Sequence, residues 1–224
     1  MRAARSLMFV ALLPLFAGCQ LLESSPQAPS TAGLTRMQGE LGMANGKLVF
    51  KPCQGNNLYA VHDSGSTSVM QEAATLAGTQ HQVFADLRGR VPSAKVADGQ
   101  AQLDVQQLYR LERSTGACNS PDFQKLILQA GGNTPNWSVK VSGKGMVVER
   151  AVQPALALPY LEELLGDGRF HLSSEANNQR VELWIAPQRC VDPSRPSVQF
   201  MSAELRVNDQ VQRGCAYFGG ARSD

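Results

Sequence analysis

The sequence is short of the residues that catalytic and nucleic-acid-binding proteins gather. Its 224 residues hold three histidines, His62, His81 and His171, scattered along the chain. That scatter suits surface or core histidines better than a metal site. His62, Asp63 and Ser64 are consecutive; neighbours on a strand face opposite sides, so they make no triad by themselves. No G-x-S-x-G, H-E-x-x-H or G-x-x-x-x-G-K-S/T occurs, and S-G-K-G from Ser142 reads as a turn. Nothing sets two carboxylates together for hydrolysis. We therefore expect no catalytic residue, no metal and no cofactor. An excess of one charge is missing too. Lys and Arg number 21 against 19 Asp and Glu, and taking away Arg2 and Arg5 with the leader described below leaves 19 against 19. A neutral body without a basic cluster is a poor match for a phosphate backbone, so no nucleic-acid partner is expected. The remaining composition, 43% hydrophobic and 18% charged with 20 Gly and 12 Pro, is that of a globular protein and excludes collagen, coiled coil and wholesale disorder.

What is present begins at the N-terminus. Arg2 and Arg5 precede an apolar run of 10 residues, Leu7 to Phe16, followed by Ala17, Gly18 and Cys19. Ten residues cannot cross a hydrocarbon layer that needs about 20, but they suit a signal peptide over residues 1–18. The ending L-F-A-G-C resembles the lipobox of bacterial lipoproteins, with Phe16 where Leu is usual. That resemblance implies an acylated Cys19 as the first mature residue, and ordinary cleavage with a free thiol is the alternative. Buried methylenes each contribute about 0.8 kcal/mol, so two or three acyl chains would hold the protein durably on a membrane. Residues 19–36, with Ser24, Ser25, Pro26, Pro29 and Ser30, are too poor in large apolar groups to order themselves and read as a tether. Gln20 follows the cysteine, where an Asp often marks inner-membrane retention in lipoproteins. The expected location is the outer membrane, facing the periplasm.

Four cysteines remain beyond the tether, Cys53, Cys118, Cys190 and Cys215, none in a C-x-x-C. An even number in an exported chain points to disulfides. Of the three possible pairings we favour Cys53–Cys118 with Cys190–Cys215, in which each bridge staples one half of the body; buried free thiols are the alternative.

The rest reads as short strands. Strand formers run through residues 47–53 and 57–63, and a helix over 68–77 is expected, with Ser68 and Gln71 as a capping box and Gly78 as its stop. Alternation marks residues 81–88 and 101–111. The turn-rich S-T-G-A-C-N-S-P-D at residues 114–122 is placed as a linker between a first small β domain (37–113) and a second (123–224). In the second, strands are expected at 123–129, 137–142, 146–150, 169–174, 180–187, 200–208 and 210–218. A short helix is expected over 159–165, opened by Pro159, with Glu162 and Glu163 as first-turn acids. Asn208-Asp209 supplies a tight turn. The expected fold is mainly β: two small barrel-like domains with one or two short helices, after a signal peptide and flexible tether.

One set of motifs carries a wider likeness. G-N-T-P-N-W at Gly132 to Trp137, C-V-D at Cys190 to Asp192, A-E-L at Ala203 to Leu205 and G-C-A at Gly214 to Ala216 resemble a family of uncharacterised bacterial envelope lipoproteins. The family's usual pattern is G-N-x-P-x-W, C-x-D-x-M-S-G and G-C-A. The likeness covers roughly residues 123–218, and K-L-V-F-K-P-C with F-A-D-L-R-G is similar, less specifically, to the domain that often precedes it. It implies the Cys190–Cys215 pair and brings no activity. Where the family has M-S-G, this chain has Ser194, Arg195 and Pro196.

Aromatic residues Trp137, Trp184, Tyr217 and Phe218 are read first as core, with pocket lining as the other role. Asp192 is read as a turn former that caps backbone amides. The loop from Asp192 to Ser197, stiffened by a disulfide and by Pro193 and Pro196, is the one loop suited to contact with a partner, through Asp192 and Arg195, and Trp137 is the further candidate binding residue. Two roles follow. The first is a non-enzymatic binding or envelope-maintenance lipoprotein with an envelope protein as partner. The second is an inhibitor of a lysozyme or protease.

Overall fold

The structure, a computed structural model, describes residues 32–78, 82–92, 101–113, 116–176 and 178–222. Cys19, the leader over 1–18 and most of the tether over 19–36 lie outside the described residues, as does His81. Residues Gly33–Asp224 form one compact unit. It is mainly β, with a closed five-strand barrel and a curled half-barrel, as the sequence leads one to expect.

The barrel uses β1 (Thr35–Ala44), β2 (Lys47–Pro52), β3 (Tyr59–Asp63), helix α1 (Val69–Ala77), β4 (Gln82–Arg90) and β5 (Ala101–Glu112). The order β5-β3-β2-β1-β4 closes because β4 also pairs with β5. Five strands cannot alternate direction all the way round a ring, so one joint must be parallel, and it is β3 with β5, in register Tyr59↔Ala101 through Asp63↔Val105. A parallel joint needs a long crossover, here α1 and β4. Leu41, Phe50, Val83, Ala85, Leu87, Leu103, Val105 and Leu111 fill the barrel, and Val69, Ala73 and Leu76 plug it from α1. Each such large side chain contributes about 1.5–3 kcal/mol on burial.

Two local expectations change here. Strand β1 takes in Thr35 and Arg36, which were assigned to the tether. Its polar sequence T-R-M-Q-G-E-L-G-M-A hides a strand that exists because β2 and β4 pair with it on both sides. The helix is in place, but its capping box is not. Ser68 adopts φ 62° and makes no side-chain cap. Asp63 takes over that work, accepting from the Thr67 amide at 2.8 Å, the Thr67 hydroxyl at 3.0 Å and the Ser68 amide at 2.9 Å.

After short 3-10 turns at Ala117–Asn119 and Phe123–Lys125, the second half supplies β6 (Leu126–Asn133), β7 (Asn136–Ser142), β8 (Gly145–Arg150), β9 (Leu156–Leu158), β10 (Leu161–Gly166), β11 (Arg169–Ala176), β12 (Gln179–Ala186), β13 (Cys190–Val191), β14 (Ser197–Gln199), β15 (Met201–Val207) and β16 (Gln210–Phe218). Nine of these form one antiparallel sheet ordered β10-β11-β12-β15-β16-β6-β7-β8-β9. Eight antiparallel steps leave β9 and β10 running the same way, and only Pro159 and Tyr160 separate them. The sheet therefore curls until its two edges are consecutive in the chain. Its inner face holds Trp137, Val139, Val141, Met146, Val148, Phe170, Leu172, Leu183, Ile185 and Leu205.

The helix expected at 159–165 is instead β10. L-E-E-L-L has good helix propensity, but propensity differences of a few tenths of a kcal/mol per residue yield to the ladder β10 makes with β11, Leu161↔Ser173 to Leu164↔Phe170. Strands β13 and β14 leave the second sheet and join the first: Val198 pairs with Leu111 and belongs to the barrel core. The break at 114–122 thus separates two cores in sequence, while the later half still contributes to both.

Candidate functional site

The residues that carry the family likeness meet in one place. Asn133 and Asn136 close the β6–β7 hairpin around Thr134 and Pro135. Trp137 follows directly and points inward, 1% exposed, its indole N–H donating to the Arg213 carbonyl at 3.3 Å. Its ring is core, so it is not offered to a partner. Gly132 makes this packing possible: a Cβ there would lie 2.7 Å from the Trp137 Nε1 and press on the Arg213 carbonyl. The disulfide Cys190–Cys215 ties β13 to β16 beside this hairpin, and Cys53–Cys118 ties the end of β2 to the 117–119 turn. Both bridges are the pairs favoured from the sequence.

Asp192 stands at the centre of the loop, 8% exposed. Its Oδ1 accepts from Asn133 Nδ2 at 2.8 Å, the Ser194 amide at 2.9 Å and the Ser194 hydroxyl at 2.7 Å, and its Oδ2 accepts from Asn133 Nδ2 at 2.7 Å. Burial works against the charge, but the bonds from Ser194 and Asn133 and the nearby Arg195 outweigh it and hold this carboxyl below the usual aspartate range. The carboxylate is saturated by Ser194 of its own loop and by Asn133 at the end of β6. Arg195 is placed differently: its Nε lies 3.7 Å from Asp192 Oδ2 and its side chain is 41% exposed. The Arg195 amide donates to the Asp192 carbonyl at 3.0 Å, and the Arg113 amide donates to the Pro196 carbonyl at 2.9 Å. The loop is thus pinned at both ends, with Arg195 presented from it.

Beneath the loop lies a polar seam between the barrel and the second sheet. Asp86, Arg110, Ser197 and Gln199 are buried there. Arg110 forms a close ion pair with Glu112 and stands 4.1 Å from the Tyr217 ring centre, while the Tyr217 hydroxyl donates to Gln129 Oε1 at 2.6 Å. Burial pushes the Tyr217 hydroxyl up. Arg36 reaches across from β1, donating to Asp86 at 2.9 and 2.5 Å and to the carbonyls of Phe218 and Gly219 at 3.0 Å each.

No family model, curated protein or solved structure matches this chain. Geometry alone must then speak for the site. His62 lies on the exposed barrel surface 3.2 Å from Asp104. Asp63 caps α1, and the Ser64 hydroxyl accepts from Gln106 Nε2 at 2.7 Å, so those three consecutive residues point to three separate tasks. Among the described residues no group of three or more His, Cys, Asp or Glu is placed to hold a metal ion.

A second feature escaped the sequence. On the second sheet, His171 and Trp184 are a cross-strand pair stacked at 4.6 Å. Next to them a cleft of about 550 Å³ is lined by Tyr160, Leu161, His171, Ser173, Ser174, Glu175, Arg180 and Glu182. These residues come from three strands and a connector, and a helix over 159–165 would not have set Leu161 opposite Ser173.

Proposed function

We propose that this chain is a lipid-anchored protein of the bacterial envelope, held through Cys19 at the outer membrane and facing the periplasm, with a non-enzymatic binding or envelope-maintenance role. The observation that carries the binding role is the Asp192 loop: a disulfide neighbour, two prolines and a saturated carboxylate stiffen it, and one arginine projects. A preorganised loop loses little freedom on contact, which favours recognition. The A-G-C ending supports the anchor, and two disulfides in the body fit an oxidising compartment. A second reading, inhibition of a lysozyme or protease, draws on the same rigid loop, since an inhibitor must place a stiff segment in an enzyme cleft.

Two measurements test this. Cys19→Ala should move the protein from the membrane fraction to the soluble periplasm, and retention of the variant on membranes at high salt would refute the anchor. Cross-linking of the acylated chain in native envelope should capture a partner that Arg195→Ala loses while the fold is kept. Capture unchanged by that variant removes the loop from the proposal, and turnover on peptidoglycan, peptide or ester substrates overturns the non-enzymatic role.

A further inference from the structure

We propose that the free edge of β10 and the cleft beside it form a docking site for an extended, lysine-bearing peptide, which adds to the second sheet as a further strand. Strand β10 ends the sheet, with β11 on one side and, among the described residues, no strand on the other. Such an edge presents unpaired backbone donors and acceptors, and proteins normally shield it with charge, bulges or a covering element. Here the shielding is partial. Leu161 and Leu164 stand 77% and 74% exposed on it, and a register shift falls only at its far end, between Leu164 and Gly166. Main-chain pairing along residues 161–164 is open to a partner strand.

The cleft says what the partner's side chains should be. Glu175 and Glu182 line it with Arg180 as the opposing charge, Glu163 lies 3.7 Å from the lining His171, and Arg180 is already engaged by Glu182 at 2.6 Å and by Glu175 at 4.0 Å. The local excess is negative. The wall formed by Tyr160 and Leu161 is apolar, which suits the methylene stem of a lysine whose ammonium reaches polar groups beyond. One such group lacks a partner. The buried Nδ1 of His171, 3.7 Å from Glu163, has no hydrogen-bond partner, whereas Ser174 alternates with it and faces the core side of β11 with Phe170 and Leu172. Buried polar atoms are nearly always satisfied, so the unpaired His171 nitrogen in this cleft marks a place for a donor from outside. A second copy of this chain is a poor occupant: antiparallel pairing of β10 with itself would bring Glu162 and Glu163 opposite their own kind, which is destabilising.

The site shares no residue with the Asp192 loop or with Cys19, so the two proposals fail independently. The test uses the full chain carrying Cys19→Ala and a fluorescein-labelled, end-capped Lys-Val-Lys-Val-Lys-Val peptide, read by anisotropy. The peptide should bind. A Glu-Val counterpart, and a Lys-Val peptide with alternate backbone amides methylated, should each bind at least about tenfold more weakly, a loss of about 1.4 kcal/mol. Glu163→Lys with Glu175→Lys, both at exposed positions, should weaken binding by a similar factor while circular dichroism is unchanged. No binding at millimolar peptide overturns the proposal. So does binding indifferent to amide methylation, which would be charge attraction alone, or indifferent to the two reversals. Sedimentation showing a dimer that Leu164→Asp dissociates would give the edge to a second copy, and overturns it too.

Discussion

Asp192 shows how one side chain can tie a loop both to itself and to a distant hairpin. Four hydrogen bonds from Asn133 and Ser194 converge on its carboxylate, and bonds to a charged group contribute about 1.5–3 kcal/mol each when not offset by desolvation. Its carboxyl lies below its ordinary value of 3.8 in the folded protein. A carboxyl depressed on folding contributes stability that is fully present above the unfolded value and lost as pH falls through the folded one. Asp192→Asn should therefore cost most at neutral pH. The stability gap to the unaltered protein should narrow below pH 3.8, as measured by urea denaturation across pH. A gap constant with pH would show that the charge contributes nothing. Asp192 was legible from the sequence as a turn former because Pro193 and Ser194 follow it. Asn133, 59 residues earlier, was not, since nothing local tells an asparagine which distant carboxylate it will meet.

Among the elements, β10 separates local from tertiary control most clearly. L-E-E-L-L after a proline carries every local sign of a helix start, and the structure makes it a strand because β11 offers a ladder and the curl of the sheet brings the chain past that edge. An edge strand with exposed side chains should open more readily than the strands behind it. Hydrogen exchange should find the amides of residues 161–164 less protected than those of 181–185, and Leu164→Asp should change stability by no more than about 0.5 kcal/mol, the range for exposed sites. A loss of about 2 kcal/mol or more would mean that β10 is packed against something at that face. Strand β14 makes the same lesson from the other side: three residues, Ser197, Val198 and Gln199, are too few to show alternation, and only their pairing with Glu112, Leu111 and Arg110 makes them a strand.

At the scale of the molecule, the seam decides whether barrel and sheet behave as one body. Arg36 belongs to the first strand of the barrel, pairs with the barrel's buried Asp86 and reaches the carbonyls of Phe218 and Gly219 at the end of the last strand. Removing one member of a buried pair strands a charge at a cost of about 3–5 kcal/mol, whereas replacing both with apolar groups is often near neutral. Arg36→Met should thus destabilise strongly, and adding Asp86→Leu should recover much of the loss; thermal unfolding of both variants checks the pair, and no recovery in the double variant would place the energy in the carbonyl contacts instead. The disulfides act at the same scale. With sequence separations of 65 and 25, chain-entropy reasoning assigns them about 4 and about 3.5 kcal/mol.

Composition, periodicity and cysteine count were enough to set the class of the fold, because burying alternate residues on a sheet leaves a period of two in the sequence and bridged cysteines must come in pairs. They placed most strands of both halves, the helix with its stop at Gly78, and the two bridges. The sequence alone also made Asp192 and Arg195 neighbours on a stiff loop, since that proximity is a matter of three positions along the chain. Tertiary structure decided the rest. Which residue caps the helix, whether 161–166 coils or extends, where β14 pairs, and that Tyr160, His171 and Glu182 line one cleft all depend on groups apart in sequence. Their meeting is set by how a closed barrel and a curled sheet bury their faces against each other, and no local window of residues contains that information.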